Sequence, residues 1–250
     1  MKRNHFFIAL SLLACTLLSC QNEKKQQSSI ANKSNMEKND TILKPFVAEN
    51  LFWIREPKQY TITDSLITIV SEPHTDLWQR TYYGFSNDNA PVLQMKTSDK
   101  FFSFTVKTSF NSSALFDQCG IAIYFDSDNW MKASIEYENE EYQRLGSVVT
   151  NNGYSDWATH DIPSSIKEMW YRLSRRGSDY YIETSPDGTT FHQMRTFHLD
   201  KGDGEISFGI YAASPVDHSF TAQFSEMEVG ECKWQPWSAE DTGFKQTANK

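Results

Sequence analysis

The chain has 250 residues, of which 39% are hydrophobic and 22% charged, and its formal net charge at pH 7 is -8. This excess of carboxylates argues against a nucleic-acid partner and against general adhesion to anionic lipids, because both partners are negatively charged themselves. About two hundred residues have the mixed composition of a folded domain, which suits one all-β domain better than two domains.

The first nineteen residues have the pattern of an export signal. Two basic residues precede an apolar run at 6–18, and Ser19 is a small residue directly before Cys20. The run is too short for a permanent membrane-spanning helix. The tetrad LLSC, which ends at Cys20, resembles a bacterial lipobox, in which cleavage precedes the cysteine and the cysteine carries the lipid. We predict a signal peptide at 1–19 and lipidation of Cys20; the alternative is a plain signal peptide with a chance cysteine.

Residues 20–42 are predicted to be a flexible tether, because residues 21–40 contain too few apolar side chains to form a core. The folded domain is predicted at 43–237 and a polar tail at 238–250. We therefore expect an exported protein that meets the bacterial envelope through its lipid anchor only. Gln21 stands where an aspartate would retain an enterobacterial lipoprotein at the inner membrane, so the outer membrane is predicted.

From residue 51 onward, short alternating runs are separated by Gly, Pro, Asn and Asp about every ten residues, which is typical of sandwiches and barrels. The predicted strands are residues 59–63, 66–71, 78–85, 91–95, 101–110, 118–126, 130–138, 144–150, 169–176, 179–185, 190–197, 205–212 and 218–229. The best helical candidate is one or two turns at 162–169. The turn SPDG at 185–188 predicts a hairpin between its flanking strands.

The run at 130–138 has two different faces. Its odd-numbered residues from 131 to 137 are largely apolar, whereas its even-numbered residues include Trp130, Lys132 and Glu136. Since alternate residues of a strand point to opposite faces, this pattern predicts one core face and one face suited to gripping a polar, ring-shaped ligand.

Two cysteines remain in the predicted mature domain besides Cys20. Cys119 has core parity in its run, so a buried free thiol and a bridge to Cys232 both stay open. A single bridge is not a disulfide framework in a domain of this size.

Several segments, in the same order, resemble a domain family of unknown function that is named after a yeast regulator of enolase. They are WIREP (53–57), TDLWQRTYYGF (75–85), FDQCGIAIYFDSDNWMKASIEYE (116–138), SVVTN (147–151), YSDWAT (154–159), SPDG (185–188) and GIYAASP (209–215). Cys119 and Ala213 depart from the pattern expected of this family, and we interpret both departures as changes in packing. The family lies in the concanavalin A-like lectin and glucanase superfamily. The resemblance implies an all-β, concanavalin A-like jelly-roll sandwich of two antiparallel sheets, in which sugars commonly lie across the concave sheet.

The candidate ligand-binding residues combine aromatic and charged side chains. They are Asp76, Trp78, Arg80, Gln118, Tyr124, Trp130, Lys132, Glu136, Thr150, Asp156 and Trp157. Sugar rings stack on Trp and Tyr, and sugar hydroxyls need hydrogen-bonding side chains around them. The alternative is structural: the tryptophans pack under loops, and Arg80, Lys132 and Glu136 pair with one another. We predict a non-catalytic module that binds an oligosaccharide or polysaccharide.

A glycoside hydrolase is a second hypothesis, with Glu136 acting beside a carboxylate such as Asp76 or Asp156. Glu136 and Glu138 are two residues apart on one strand, hence about 7 Å apart. The run lacks the middle aspartate of laminarinase-type enzymes, and Glu138 is expected in a solvated hairpin tip. No catalytic residue is therefore predicted. An envelope module that binds another protein is the third hypothesis.

Metal and cofactor sites find little support in the sequence. The segment DSDN at 126–129 has alternating oxygen ligands, but a turn is the favoured interpretation because the glycine and distal glutamate of a calcium loop are missing. The histidines have no zinc-binding spacing, and no phosphate-binding or dinucleotide fingerprint occurs. We predict no metal and no cofactor.

Overall fold

The computed structural model describes residues 43–238, whose regular secondary structure is β-strand apart from one turn of 3-10 helix at Ala48–Asn50. In chain order the strands are β1 (Phe52–Ile54), β2 (Tyr60–Ile62), β3 (Leu66–Val70), β4 (Leu77–Gln79), β5 (Ser86–Asp88), β6 (Val92–Thr97), β7 (Phe101–Phe110), β8 (Gln118–Asp126), β9 (Asn129–Tyr137), β10 (Tyr142–Asn151), β11 (Tyr154–Pro163), β12 (Glu168–Arg176), β13 (Asp179–Ser185), β14 (His192–His198), β15 (Ile206–Ala213) and β16 (Thr221–Glu231). The predicted signal peptide, Cys20, the tether and all but the first residue of the predicted tail lie outside the described residues.

Two antiparallel sheets of seven strands each form the sandwich. Sheet A has the order β1-β6-β15-β8-β9-β10-β11, and sheet B has the order β14-β13-β12-β7-β16-β3-β2. Strands β4 and β5 form a separate two-stranded hairpin, the β4–β5 hairpin. The predicted all-β sandwich of two antiparallel sheets is confirmed.

The main core lies between the two sheets and follows the predicted alternation. Phe102, Phe104 and Val106 of sheet B are buried there with Met131 and Ile135 of sheet A. Each such side chain stabilises the fold by about 1.5–3 kcal/mol relative to leaving it in water. The apolar face of residues 130–138 is therefore the core face, as its parity predicts.

A second, smaller core lies on the opposite face of sheet A, which we call the outer face. Leu77, Trp78 and Ala90, in and just after the β4–β5 hairpin, pack there against Trp130 and other apolar residues of sheet A. The hairpin thus covers part of a sheet face that would otherwise meet water, and it makes the sandwich three layers deep at this point.

Three segments differ from the prediction. The aromatic run at 78–85 is not one strand, because the chain reverses between β4 and β5. Arg80, Tyr82 and Gly84 have φ angles of 55°, 61° and 74°, a left-handed conformation that ends the strand. β1 is unpredicted because it has only three residues. β11 is unpredicted because it is an exposed edge strand whose sequence shows no alternation of apolar and polar residues.

The helical candidate at 162–169 is also wrong. β11 continues to Pro163, a turn follows, and β12 begins at Glu168. The buried Gln143 side chain donates hydrogen bonds to the carbonyl groups of Pro163 and Ile166, at 3.1 and 2.7 Å. These contacts fix the carbonyl groups that a helix would use internally.

The predicted hairpin at SPDG is confirmed, since β13 and β14 pair across it. Ser185 and Asp187 hold the turn together: the Ser185 hydroxyl accepts a hydrogen bond from Gly188 N at 3.0 Å.

Cys119 is buried and Cys232 is half-buried, and both are free thiols. The bridge between them, left open by the sequence, is not formed.

Candidate functional site

A cavity of about 320 Å³ lies between the outer face of sheet A and the β4–β5 hairpin. This volume is at the lower end of the range for small-molecule sites. The lining residues come from the hairpin, from β8 to β11 and from the segment after β15; they are Asp76, Trp78, Tyr83, Phe85, Asn87, Phe116, Gln118, Lys132, Glu136, Val148, Trp157, Pro215 and Val216.

The floor of the cavity is a hydrogen-bonded network around Lys132, whose side chain is almost completely buried. The ammonium group donates to Asp76 Oδ1 at 3.0 Å and to Gln118 Oε1 at 2.7 Å. Tyr211 donates its hydroxyl proton to Gln118 Oε1 or to Ser134 Oγ, at 3.0 and 2.7 Å. A buried ammonium group needs such partners, and this network fixes the Lys132 side chain in place.

Hydrogen bonds with residues of the β4–β5 hairpin and its flanking segment hold Asp76 in position. Its Oδ1 atom accepts a hydrogen bond from Leu77 N at 2.7 Å, and its backbone N–H donates to Asn89 Oδ1 at 2.8 Å. Asn89 in turn donates to the carbonyl group of His74. The Asp76 carboxylate is therefore fixed at the entry to β4, and its contact with Lys132 ties the hairpin to sheet A.

Glu136 follows Lys132 by four residues and lies on the same face of β9. Its neighbours across the sheet are Gln118 on β8 and Arg144 on β10. No described residue forms a hydrogen bond or an ion pair with its carboxyl group. Burial raises the pKa of this carboxyl group to about 7; Lys132 opposes the rise, whereas Asp76 adds to it. Glu136 thus brings to the cavity a carboxyl group that the protein leaves unpaired.

Aromatic side chains from the β4–β5 hairpin and from β11 form a wall of the cavity beside this floor. Trp78 meets Tyr83 and Trp157 edge to face, with ring centroids 5.5 and 6.3 Å apart. Tyr83 and Phe85 lie at the rim, where they are 54% and 45% exposed. Their centroids are 5.8 Å apart. Exposed aromatic rings beside a cavity provide flat apolar surface for a ligand.

Trp157 lies over Gly146, on the neighbouring strand. A Cβ atom at position 146 would stand 3.1 Å from the indole Nε1 atom, so only glycine leaves room for the ring. The Arg144 guanidinium is 5.4 Å from the Trp157 ring centroid and also forms an ion pair with Glu138 at 3.0 Å. Glu138, expected in a solvated hairpin tip, is instead largely buried by this pair.

The structure brings together six of the residues that the sequence selects. Asp76, Trp78, Gln118, Lys132, Glu136 and Trp157 all line the cavity. The alternative in which Arg80, Lys132 and Glu136 pair with one another is wrong. Lys132 pairs with Asp76, Arg80 pairs with Asp128, and Glu136 has no ionic partner among the described residues.

Three other residues of the sequence-based set do not line the cavity but stabilise the structure around it. Trp130 is fully buried in the second core, and its Nε1 atom donates to the carbonyl group of Ser127. The Tyr124 hydroxyl donates to the Asp88 carboxylate, 2.8 Å away. Thr150 is buried and shares a hydrogen bond with the Ser155 hydroxyl. These side chains stabilise the sheet and the hairpin, and they offer no surface to a ligand in this structure.

Two selected residues lie away from the cavity. Asp156 is adjacent to Trp157 on β11 and therefore points to the opposite face, where it forms an ion pair with Arg195 at 3.0 Å. The Arg80 guanidinium lies next to the β10–β11 turn and forms an ion pair with Asp128 at 3.3 Å. Neither side chain lines the cavity, so Asp156 is not a carboxylate partner for Glu136.

Seven lining residues are absent from the sequence-based set: Tyr83, Phe85, Asn87, Phe116, Val148, Pro215 and Val216. Tyr83 and Phe85 belong to the TYYGF run, where Gly84 signals a turn that would have separated them from β4. The rest come from loops or from an apolar strand position. No local pattern in the sequence marks them as neighbours of the cavity.

The segment DSDN at 126–129 forms the turn between β8 and β9, the interpretation that its sequence favours over a calcium loop. Asp126 Oδ1 accepts hydrogen bonds from Asp128 N and from the Asn129 side chain, at 3.0 and 2.8 Å. Between residues 43 and 238 there is no cluster of three or more metal-ligating side chains. Within the same residues, no helix has the length and apolar character needed to cross a bilayer.

The family profile described as "Protein of unknown function (DUF1349)" matches residues 53–232, which is most of the described domain. The chain belongs to the DUF1349 family. The match begins in β1 and ends just after β16, so both sheets and the β4–β5 hairpin are parts of the DUF1349 domain.

A yeast protein sequence and a yeast crystal structure both resemble this DUF1349 domain over most of their length. Regulation of enolase protein 1 of Saccharomyces cerevisiae is 29% identical over 177 residues, which are 71% of this chain and 87% of that protein. A crystal structure of a functionally unknown protein from the same yeast superimposes with a TM-score of 0.67 at 28% identity, over 73% of this chain and 97% of that chain. The predicted resemblance to the enolase-regulator family is confirmed.

The GH43 protein BlXynB from Bacillus licheniformis also resembles the domain. The TM-score is 0.58 at 15% identity, and the match covers 75% of this chain but only 38% of that chain. A likeness at this identity concerns the fold alone. It supports the sandwich architecture and transfers no activity to the DUF1349 domain.

Proposed function

We propose that this protein is an exported, lipid-anchored envelope protein whose DUF1349 domain binds an oligosaccharide without cleaving it. The observation that carries the proposal is the combination of an aromatic wall and a polar floor in one cavity of about 320 Å³. Sugars need both surfaces, because their rings present C–H faces and their edges present hydroxyl groups.

The floor offers unused hydrogen-bonding capacity to hydroxyl groups. Lys132 uses two of its three N–H groups on Asp76 and Gln118. The Oδ2 atom of Asp76 accepts no hydrogen bond from a described residue, and neither oxygen of Glu136 does. The floor therefore offers both a donor and acceptors, which suits hydroxyl groups that both donate and accept.

The exposed rings of Tyr83 and Phe85 extend the apolar wall to the rim. A sugar unit that leaves the cavity would meet these rings next. This arrangement favours the end of a chain of sugars over an isolated small molecule, with the terminal unit inside the cavity and its neighbour at the rim.

The export and anchoring part of the proposal rests on residues 1–20. The basic start, the apolar run and LLSC are the features of a lipoprotein signal. A domain held at the membrane by lipid would display its cavity to polysaccharides near the cell surface.

A glycan screen with residues 43–238 tests the binding proposal. We expect retention of at least one oligosaccharide without release of smaller products. Trp157→Ala should weaken that binding about tenfold, which corresponds to about 1.4 kcal/mol, because it removes part of the cavity wall. Trp170→Ala, a half-exposed tryptophan on sheet B, is the matched control and should bind normally. A screen that retains no glycan would refute the proposal.

A glycoside hydrolase is the second candidate, and Glu136 is the observation that favours it. A carboxyl group with a pKa of about 7 remains partly protonated at neutral pH, as a general acid must, and Asp76 is a second carboxylate on the same cavity. Release of reducing sugar in the same screen, abolished by Glu136→Gln, would replace the binding proposal with this one.

A further inference from the structure

The charges that line the cavity do not balance. Asp76 and Glu136 carry the carboxylates, and Lys132 carries the only ammonium group among the lining residues. Asp76 and Lys132 are 3.0 Å apart and neutralise each other. Glu136 is the remaining ionisable group, and a cationic ligand would supply the partner that its surroundings lack.

The residues around Glu136 explain why the protein does not supply that partner. Arg144 lies directly across from it on β10, but its guanidinium is committed to Glu138 at 3.0 Å and to the face of Trp157. Lys132 is on the same face of β9, but its ammonium group is directed to Asp76 and Gln118. Both nearby cations are held by other groups.

The wall of the cavity is suited to a positive charge as well as to a sugar ring. Five aromatic rings line the cavity, those of Trp78, Tyr83, Phe85, Phe116 and Trp157. Aromatic faces attract cations through the negative potential above the ring, most strongly when water is excluded. Aromatic rings and an unpaired carboxyl group in one cavity are complementary to a ligand that is both ring-shaped and cationic.

We infer that the sugar bound in this cavity carries a protonated amine, which pairs with the Glu136 carboxylate while the sugar ring packs on the aromatic wall. The inference rests on the proposed function and narrows it to amino sugars with a free amino group. An N-acetylated sugar lacks the charge and places a bulkier amide at the same position. A neutral sugar leaves Glu136 with a hydroxyl group as its partner. A charge-assisted hydrogen bond is stronger than one between neutral groups, so the amine should be preferred.

Three tetrasaccharides with the same β-1,4-linked backbone test this inference, because they differ only at carbon 2. The probes are the glucosamine tetramer, its fully N-acetylated form, and cellotetraose, measured by calorimetry at pH 6.5 with residues 43–238. We expect the glucosamine tetramer to bind at least tenfold more tightly than the other two. Glu136→Gln should remove this preference, since the amide cannot pair as an anion.

Asp156→Asn is the matched control, because it removes one carboxylate that pairs with Arg195 outside the cavity. It should leave the preference intact. Equal binding of all three tetrasaccharides, or a preference that survives Glu136→Gln, would overturn the inference and leave oligosaccharide binding standing. Failure of the glucosamine tetramer to bind would also overturn it, and the broad glycan screen would then decide the proposed function separately.

Discussion

Lys132 and Glu136 lie four residues apart on one strand, yet the protein treats their charges differently. Lys132 is buried with a carboxylate and an amide oxygen as partners. Glu136 is surrounded by protein on the cavity floor without a direct partner, so its ionised form is disfavoured and its pKa rises to about 7. The first charge stabilises the floor, and the second is kept at a cost in stability.

The loss of stability caused by burying the Glu136 carboxyl group should appear as a pH dependence of the free energy of unfolding. The folded-state pKa of Glu136 is about 7, against an ordinary value of 4.5, so the folded state binds the proton more tightly than the unfolded state. The stabilisation from the protonated Glu136 carboxyl group is complete below pH 4.5 and is lost as the pH rises through 7. The resulting decrease in the free energy of unfolding is about 3 kcal/mol at most. We expect Glu136→Gln to flatten the decline in unfolding free energy between pH 5 and 8, measured by urea denaturation.

Glu183→Gln is the comparison for this measurement. Glu183 forms an ion pair with Arg172 on sheet B, away from the cavity, so its substitution should not flatten the decline. If Glu136→Gln and the unchanged domain show the same pH profile, the Glu136 carboxyl group is not buried as described.

At the scale of elements, the β4–β5 hairpin divides the outer face of sheet A into a dry part and an open part. Trp130 lies fully buried in the dry part, and Trp157 lies half-buried in the open part. Two tryptophans on the same face of one sheet therefore have separate roles. The first holds the hairpin against the sheet, and the second faces the cavity.

Alanine substitutions should separate these roles. Trp130→Ala removes a fully buried ring and should lower the unfolding free energy by about 3–5 kcal/mol. Trp157→Ala should lower it by less than half as much, because the ring is partly exposed already. Thermal and urea denaturation of both variants provide the comparison. Similar losses in the two variants would contradict the separate roles of the two tryptophans.

The sequence predicts the two faces of β9 correctly because the alternation of a strand is a local property. It does not predict which outer-face residues are covered, because the β4–β5 hairpin reaches Trp130 from about fifty residues away in the chain. Asp156 and Trp157 are adjacent, and both enter the candidate set because β11 is unpredicted. Once β11 is known, its parity excludes Asp156. Left-handed residues such as Arg80 and Tyr82 are rarely visible in a sequence, so the TYYGF turn resembles a strand.

At the scale of the whole molecule, the domain and the anchor can be tested independently. The domain between residues 43 and 238 contains both cores and the cavity. The proposed anchor depends on one side chain, Cys20. The DUF1349 domain should therefore keep its fold, and the proposed binding, when Cys20 is substituted.

Cys20→Ser should move the protein from the membrane fraction to the soluble fraction of a bacterial expression host, because a serine in that position accepts no lipid. Fractionation and mass spectrometry of the N-terminus measure the change. Cys232→Ser, which alters a half-buried free thiol, is the control and should leave the protein in the membrane fraction. Retention of the Cys20→Ser variant at the membrane would show that something other than this lipid holds it there.

The part of the outer face that the β4–β5 hairpin covers also determines where the domain can accept substitutions. Trp130 and Leu77 hold the hairpin in place from within, whereas Tyr83 and Phe85 project from its tip and rim with little role in the core. Substitutions at the tip should lower stability little, and substitutions beneath it should lower stability much more. The β4–β5 hairpin therefore separates the side chains that hold the scaffold together from those that can change without loosening it.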